Sequence, residues 1–408
     1  MVKQKTYPNG LRMIVRRLEG VFSVSSGILV GAGSRLETPQ NNGISHFIEH
    51  MMFKGTANRT AFEISDAIDS IGGQINAFTT KETTCYYTKS TTEHTEKAIE
   101  VLSDIFFNST FDEGEMDKER GVIIEEINMN EDTPDDLCFD LLADAHFGKT
   151  GLGATILGSV ENVESFSRKD VLDYTARYYC PQNVVICYAG NISFEQAEEL
   201  TEKYFASKFK STAFEKPAIG HEFLFGKSVK KKDIEQAHLC LAYTACPYGS
   251  ERTDYYTFLN SALGGGMSSV LFQKVREELG LAYSVYSFIS AYADCGSLCV
   301  YAGVNPKKRD VARECILSEI SALKQRGLSE SEFLRAREQI KGAFIFGQES
   351  NASQMLLYAK YLLYKNEIFS FENKLKAVNS ITRESLNRFI KEEVDFDRFS
   401  ESLVAKDI

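Results

Sequence analysis

The sequence has no Cys-x-x-Cys pair, although it carries nine cysteines, at positions 85, 138, 180, 187, 240, 246, 295, 299 and 315. Their odd number and scattered spacing argue against a zinc ribbon or a disulfide scaffold, and for reduced thiols packed as small apolar residues. Long apolar runs are also missing: no stretch reaches the roughly 18 residues a membrane-spanning helix needs. Met1 to Gly10 shows no apolar run after its lysines, so it does not read as a secretory signal. The expectation is a cytoplasmic protein with no membrane partner. Clustered positive charge is absent as well. Lys and Arg number 46 against 57 Asp and Glu, a net charge of −11, which argues against nucleic acid as a partner and is compatible with basic peptides. Histidine is scarce, with six in 408 residues.

What is present is enough chain for two or more hydrophobic cores, with 43% hydrophobic and 25% charged residues, as in a globular protein. Residues 11–34 alternate around a turn near Gly20 and read as strands. Residues 42–54 read as a helix. Residues 60–71 form a second, opened by a Thr60/Glu63 capping box and stopped by Gly72-Gly73. Strands are expected over 74–90 and 182–190, helices over 92–108, 112–130 and 193–206. The second half repeats this order, with strand-like 234–243 and 281–293 and helical 255–263, 307–326 and 329–346. Phe333 stands to Met116 at an offset of 217 (333 − 116), which suggests a duplicated domain. A Ser-, Lys- and Pro-bearing stretch ending in Lys230-Lys231-Lys232 reads as the linker, its lysines as a solvated patch.

The chemistry centres on His46-Phe47-Ile48-Glu49-His50. Histidines at i and i+4 share a helix face about one turn apart, so both rings can reach one metal ion at about 2.0–2.1 Å. Glu49, between them in sequence, can lie near the ion without binding it, the position of a base acting on metal-activated water. The order His-x-x-Glu-His inverts the commoner His-Glu-x-x-His and is a zincin signature. Two histidines packed against Phe47 and Met51 would need no metal. The pattern would arise by chance about once in eighty such sequences, which weighs toward chemistry. A catalytic zinc takes three protein ligands and leaves a fourth position to water. No histidine stands close downstream. Glu126 follows Val122-Ile123-Ile124 where an acidic helix turns toward the core, and a carboxylate there is costly unless paired or bound. Glu119, two turns earlier on the same face, suits a partner that orients a ligating histidine. Glu113, Glu115, Asp117 and Glu125 read as solvent-facing. His94, His146, His221 and His238 stand outside any ligand spacing.

On these residues the sequence resembles the pitrilysin (insulinase) family of inverted-motif zinc peptidases, above all the bacterial processing proteases related to mitochondrial processing peptidase. The family's third ligand is a Glu 76 positions after the second His, and here 126 − 50 = 76. A helper Glu seven residues before that ligand matches Glu119. The likeness runs from Pro8-Asn9-Gly10 to the C-terminal helices. Gly73-Gln74-Ile75-Asn76-Ala77-Phe78-Thr79 resembles the family's edge strand. The resemblance implies that Asn76, Ala77, Phe78 and Thr79 bind substrate as an added strand, although alternation alone fits a Thr-rich hairpin equally well. Gly264-Gly265-Gly266-Met267-Ser268-Ser269 resembles the glycine turn of the second half. Arg276 and Tyr283 resemble the pair that faces substrate and developing oxyanion. Val270, where relatives often carry Arg, and Gly148–Gly153, which lacks a Pro before Leu-Gly, depart from the pattern and bear on subsite preference.

The fold implied is α+β: two homologous domains, each a mostly antiparallel sheet backed by helices, together a clamp-like half of a chamber. Residues 1–210 would be the zinc-binding domain, 211–232 the linker and 233–408 the domain without metal. Phe258–Leu263 holds no His, and Ala343 stands where Glu126 would fall at the same offset (126 + 217), so one Zn2+ per chain is implied. Short family members close the chamber with two chains, here a homodimer or a heterodimer with a paralogue. The implied activity is that of a zinc metalloendopeptidase acting on peptides or unfolded segments. The alternative, a non-catalytic partner subunit, is disfavoured by the presence of all four motif residues.

Overall fold

Alternation in the N-terminal stretch does produce strands. The structure, a computed structural model, describes residues 1–209, 214, 215, 217 and 220–408; positions 211–213, 216, 218 and 219 of the expected linker lie outside the described residues. Strands β1 (Val2–Thr6), β2 (Arg12–Arg17), β3 (Ser23–Val30), β4 (Gln74–Thr79), β5 (Thr84–Thr91) and β6 (Val184–Gly190) belong to one sheet, and β7 (Lys227–Lys231), β8 (Ala237–Ala245), β9 (Ala282–Ala291), β10 (Gly296–Val304) and β11 (Ser400–Ala405) to another. Helices in the first half are α1 (Ile44–Met51), α2 (Ala61–Asp69), α3 (Thr95–Asn108), α4 (Glu113–Asp132), α5 (Pro134–Phe147), α6 (Val160–Ser165), α7 (Arg168–Tyr178) and α8 (Phe194–Thr201). Those in the second are α9 (Thr253–Leu263), α10 (Arg309–Arg326), α11 (Glu330–Gly347), α12 (Asn351–Lys365), α13 (Phe371–Ser380) and α14 (Arg383–Glu392). The helix expected over 193–206 ends in a π-helical turn, Glu202–Ala206.

The strand orders are β1-β2-β6-β3-β5-β4 and β7-β11-β8-β10-β9. Each sheet has one parallel pair, β2 with β6 and β7 with β11, and is otherwise antiparallel. Five strands therefore occupy matching places in the two orders, and the parallel pair falls at the same place in each. That agreement is the structural form of the 217-residue repeat.

The chain divides into two compact units, Met1–Asn128 with Thr155–Ile219 and Gly347–Phe369, and Met129–Ala154 with Gly220–Phe346 and Ser370–Ile408. In the first unit, α12 lies on β6, β3 and β2. Gly27 of β3 makes room for it, since a Cβ there would stand 2.8 Å from Met355 Sδ. All seven residues of β6 are buried, as expected of a strand covered on both faces. In the second unit, α5 lies on β11, β8 and β7, with Leu137, Cys138 and Leu142 packed against Cys240, Ala242, Cys299 and Val404. Each sheet is thus covered by a helix from the other half of the sequence. Inside the stretch expected as linker, 227–231 is a strand. Its burial pattern is almost wholly exposed, and lysines on such an edge discourage pairing with another chain. No disulfide joins any two of the nine cysteines among the described residues, and all but Cys315 are buried.

Candidate metal centre

Helix α1 presents the His-x-x-Glu-His residues, and its start is unusually well held. Gly43 precedes it at φ 101°, a left-handed conformation that favours glycine, and a Cβ there would meet the Leu157 carbonyl oxygen at 2.7 Å. No side chain at that position caps the helix. The carboxylate of Glu37 reaches in instead, accepting from Gly43 N at 2.7 Å, Ser45 N at 2.8 Å and Asn42 Nδ2 at 2.9 Å. An acidic group there satisfies otherwise orphaned amides and complements the helix dipole. Burial pushes the Glu37 carboxyl up, against the pull of these donors. Phe47 and Ile48 face the core, fully buried, so the histidines are left on the other side.

His46 and His50 stack edge to face with centroids 4.5 Å apart. Glu126 comes from α4, where Met116, Glu119 and Ile123 form a buried stripe and Glu126 continues it by one turn. Its Oε2 lies 3.5 Å from His46 Nε2 and 3.4 Å from His50 Nε2. Ligand atoms around a tetrahedral zinc at about 2.0–2.2 Å stand about 3.3–3.6 Å apart, so the two imidazoles and the carboxylate fit that ion in donor type and spacing. Burial, then His50, lowers the His46 pKa to about 4, which keeps the ring in the neutral form a metal requires. His46 Nδ1 is buried without a hydrogen-bond partner among the described residues.

Glu119 holds the second ring: its Oε1 is 2.8 Å from His50 Nδ1, and its Oε2 is 2.7 Å from Lys54 Nζ. Burial raises the Glu119 carboxyl, but His50 and Lys54 outweigh it and the net shift is downward. An ionised carboxylate only accepts, so His50 Nδ1 carries the proton and Nε2 is left to ligate. Glu49 stays out of the ligand group. Its Oε2 accepts a 2.5 Å hydrogen bond from Thr79 Oγ1, and burial raises its carboxyl against that bond. Thr79 ends β4, which pairs with β5 on one side only and forms the sheet edge beside α1. Asn76 is exposed, with its Oδ1 accepting from Ala77 N, while Ala77, Phe78 and Thr79 are half-buried.

The structure therefore brings together His46, His50, Glu126, Glu49, Glu119 and Thr79. In the second unit, Arg276 lies over the Tyr283 ring at 5.7 Å, also touching Phe272, and Tyr283 is exposed. The sequence reading missed Glu37, Lys54 and the Thr79–Glu49 bond. Lys54 stands four residues after His50, a helical spacing that could have found it. Glu37 lies in irregular chain and bonds to backbone, which leaves no periodic signal.

Residues 12–160 match the family model described as insulinase (peptidase family M16), and residues 165–340 the one described as peptidase M16 inactive domain. The "Uncharacterized zinc protease YmxG" of Bacillus subtilis (strain 168) is 44% identical over 95% of this chain and 94% of its own. An uncharacterized zinc protease of Streptomyces coelicolor is 38% identical over 93% and 84%. The crystal structure of a protease from Helicobacter pylori shares the fold with TM-score 0.92, at 22% identity and 99% coverage of both chains. An α+β duplication whose first half places two His and one Glu at metal-ligating spacing agrees with these matches. The chain belongs to the insulinase family, peptidase family M16, also called the pitrilysin family.

Proposed function

We propose that the protein is a zinc metalloendopeptidase that cleaves extended peptides or unfolded segments. The observation that carries this reading is the 3.4 and 3.5 Å spacing of Glu126 from the two Nε2 atoms, with Glu49 beside them but not ligating. Zinc bound by His46, His50 and Glu126 supplies Lewis-acid polarisation of water and of the scissile carbonyl. Glu49, held by Thr79, takes a proton from the attacking water and returns it to the leaving amine as the C–N bond breaks. Glu119 keeps His50 in the ligating tautomer. The free edge of β4, residues 76–79, pairs with the substrate backbone, and Arg276 and Tyr283 donate to the oxyanion. Two chains, as a homodimer or with a paralogue, close the chamber, and the protein works in the cytoplasm. Among the described residues no helix is long and apolar enough to cross a membrane.

The test is Glu49→Gln. Zinc content should be unchanged, while cleavage of an unstructured peptide falls by about 10²–10⁴-fold. Retained cleavage would remove Glu49 from this role, and a zinc-free, active parent protein would end the proposal.

A further inference from the structure

A second cluster of metal-ligating groups lies in the second unit, built from residues that sequence spacing could not connect. Asp294 and Cys295 sit in the turn between β9 and β10, which is closed by a 2.8 Å bond from Tyr292 N to the Cys295 carbonyl. His221 arrives from 73 residues earlier in the chain, with Nδ1 3.0 Å from Asp294 Oδ2 and its ring edge-on to Phe223 at 5.0 Å. One ligand atom each from His221, Asp294 and Cys295 lies within 4.8 Å of the others. The His221 and Asp294 side chains are 26% and 36% exposed, whereas Cys295 is 2% exposed. The His221 and Asp294 side chains are thus partly open to solvent, and Cys295 is buried.

We propose that these three residues bind a second divalent ion of the zinc class. Thiolate with imidazole suits zinc and its borderline relatives, while Mg2+ and Ca2+ take oxygen ligands. Ligand atoms on such an ion stand about 3.3–3.8 Å apart, so side-chain rotation of about 1 Å closes the set. Binding releases the Cys295 thiol proton to solvent. A water completes the tetrahedron, and the ion clips the chain before β7 to the β9–β10 turn.

The ligands of the first centre include no sulfur, so the two sites can be told apart spectroscopically. The full chain is stripped of metal and titrated with cobalt(II). The expected result is a near-ultraviolet thiolate-to-cobalt charge-transfer band that grows with a second equivalent of metal. Cys295→Ser should abolish the band while peptide cleavage and the first equivalent remain. His221→Ala, a change at a partly exposed side chain, should weaken the second equivalent at least tenfold. No band in the parent protein, or a band that survives both substitutions, overturns the proposal. Loss of the first equivalent with the band intact would instead count against the His46–His50–Glu126 centre.

Discussion

Around the His46–His50 pair, His50 and Glu49 are each held by one neighbour, Glu119 and Thr79, and each neighbour can be removed separately. Glu119 orients His50 without ligating, so Glu119→Gln should weaken zinc binding by about 10–100-fold, measured by competition against a chelator. An unchanged affinity would mean that the His50–Glu119 contact does not tune the site. Thr79→Val removes the donor to Glu49 Oε2. It should lower kcat on an unstructured peptide while zinc content stays at the parent level; a change in zinc content alone would place Thr79 in ligand support instead. At this scale the sequence was legible where chemistry follows helical spacing. His46, Glu49 and His50 fall within one turn, and Glu126 announces itself after Val122-Ile123-Ile124. Glu37 was not legible, because its partners are the backbone amides of Gly43 and Ser45, which look alike in any sequence.

Among elements, α1 depends on a carboxylate that is not part of it. Glu37→Ala leaves buried amides unsatisfied, at about 1–3 kcal/mol, and should shift the urea midpoint without changing the slope. Helix α11 offers a pH-dependent counterpart. Burial raises the Glu332 carboxyl, but Arg326, which it pairs at two 2.8 Å bonds, and Ser329 outweigh this and bring it to about 2. A carboxylate held below its ordinary 4.5 stabilises the fold above that pH, and the gain is lost as pH falls toward 2. Glu332→Gln should therefore cost about 1–2 kcal/mol at neutral pH and almost nothing near pH 2, read from urea unfolding at both. Periodic elements were legible: the capping box on α2 is present as expected, and strands and helices from Arg12 to Asp132 fall within a few residues of their expected places, whereas β1 (Val2–Thr6) was not expected. Strand β7 was hidden because Lys227–Lys231 shows no apolar alternation; its order comes from backbone pairing with β11.

For the molecule as a whole, the proposed ligation would couple to stability. A bound ion at 1,000 times its dissociation constant adds about 4.1 kcal/mol, so chelation should lower the melting temperature as well as stop peptide cleavage, and zinc should restore both. Loss of cleavage without any thermal shift would separate the metal from the fold. The duplication was visible in sequence as the 217-residue offset, but the exchange of α5 and α12 was not. Equivalent helices look equally amphipathic whichever sheet they cover, and the choice rests on packing such as Gly27 against Met355.

That exchange fixes an order of events during synthesis. The sheet beside α1 is covered by residues up to Phe369, so it stays bare on one face until α12 has left the ribosome. A nascent chain halted after residue 210 would expose the buried strands β3 and β6, a surface that invites aggregation or chaperone capture. Protection arrives only with α12, so the part made first is the part finished late.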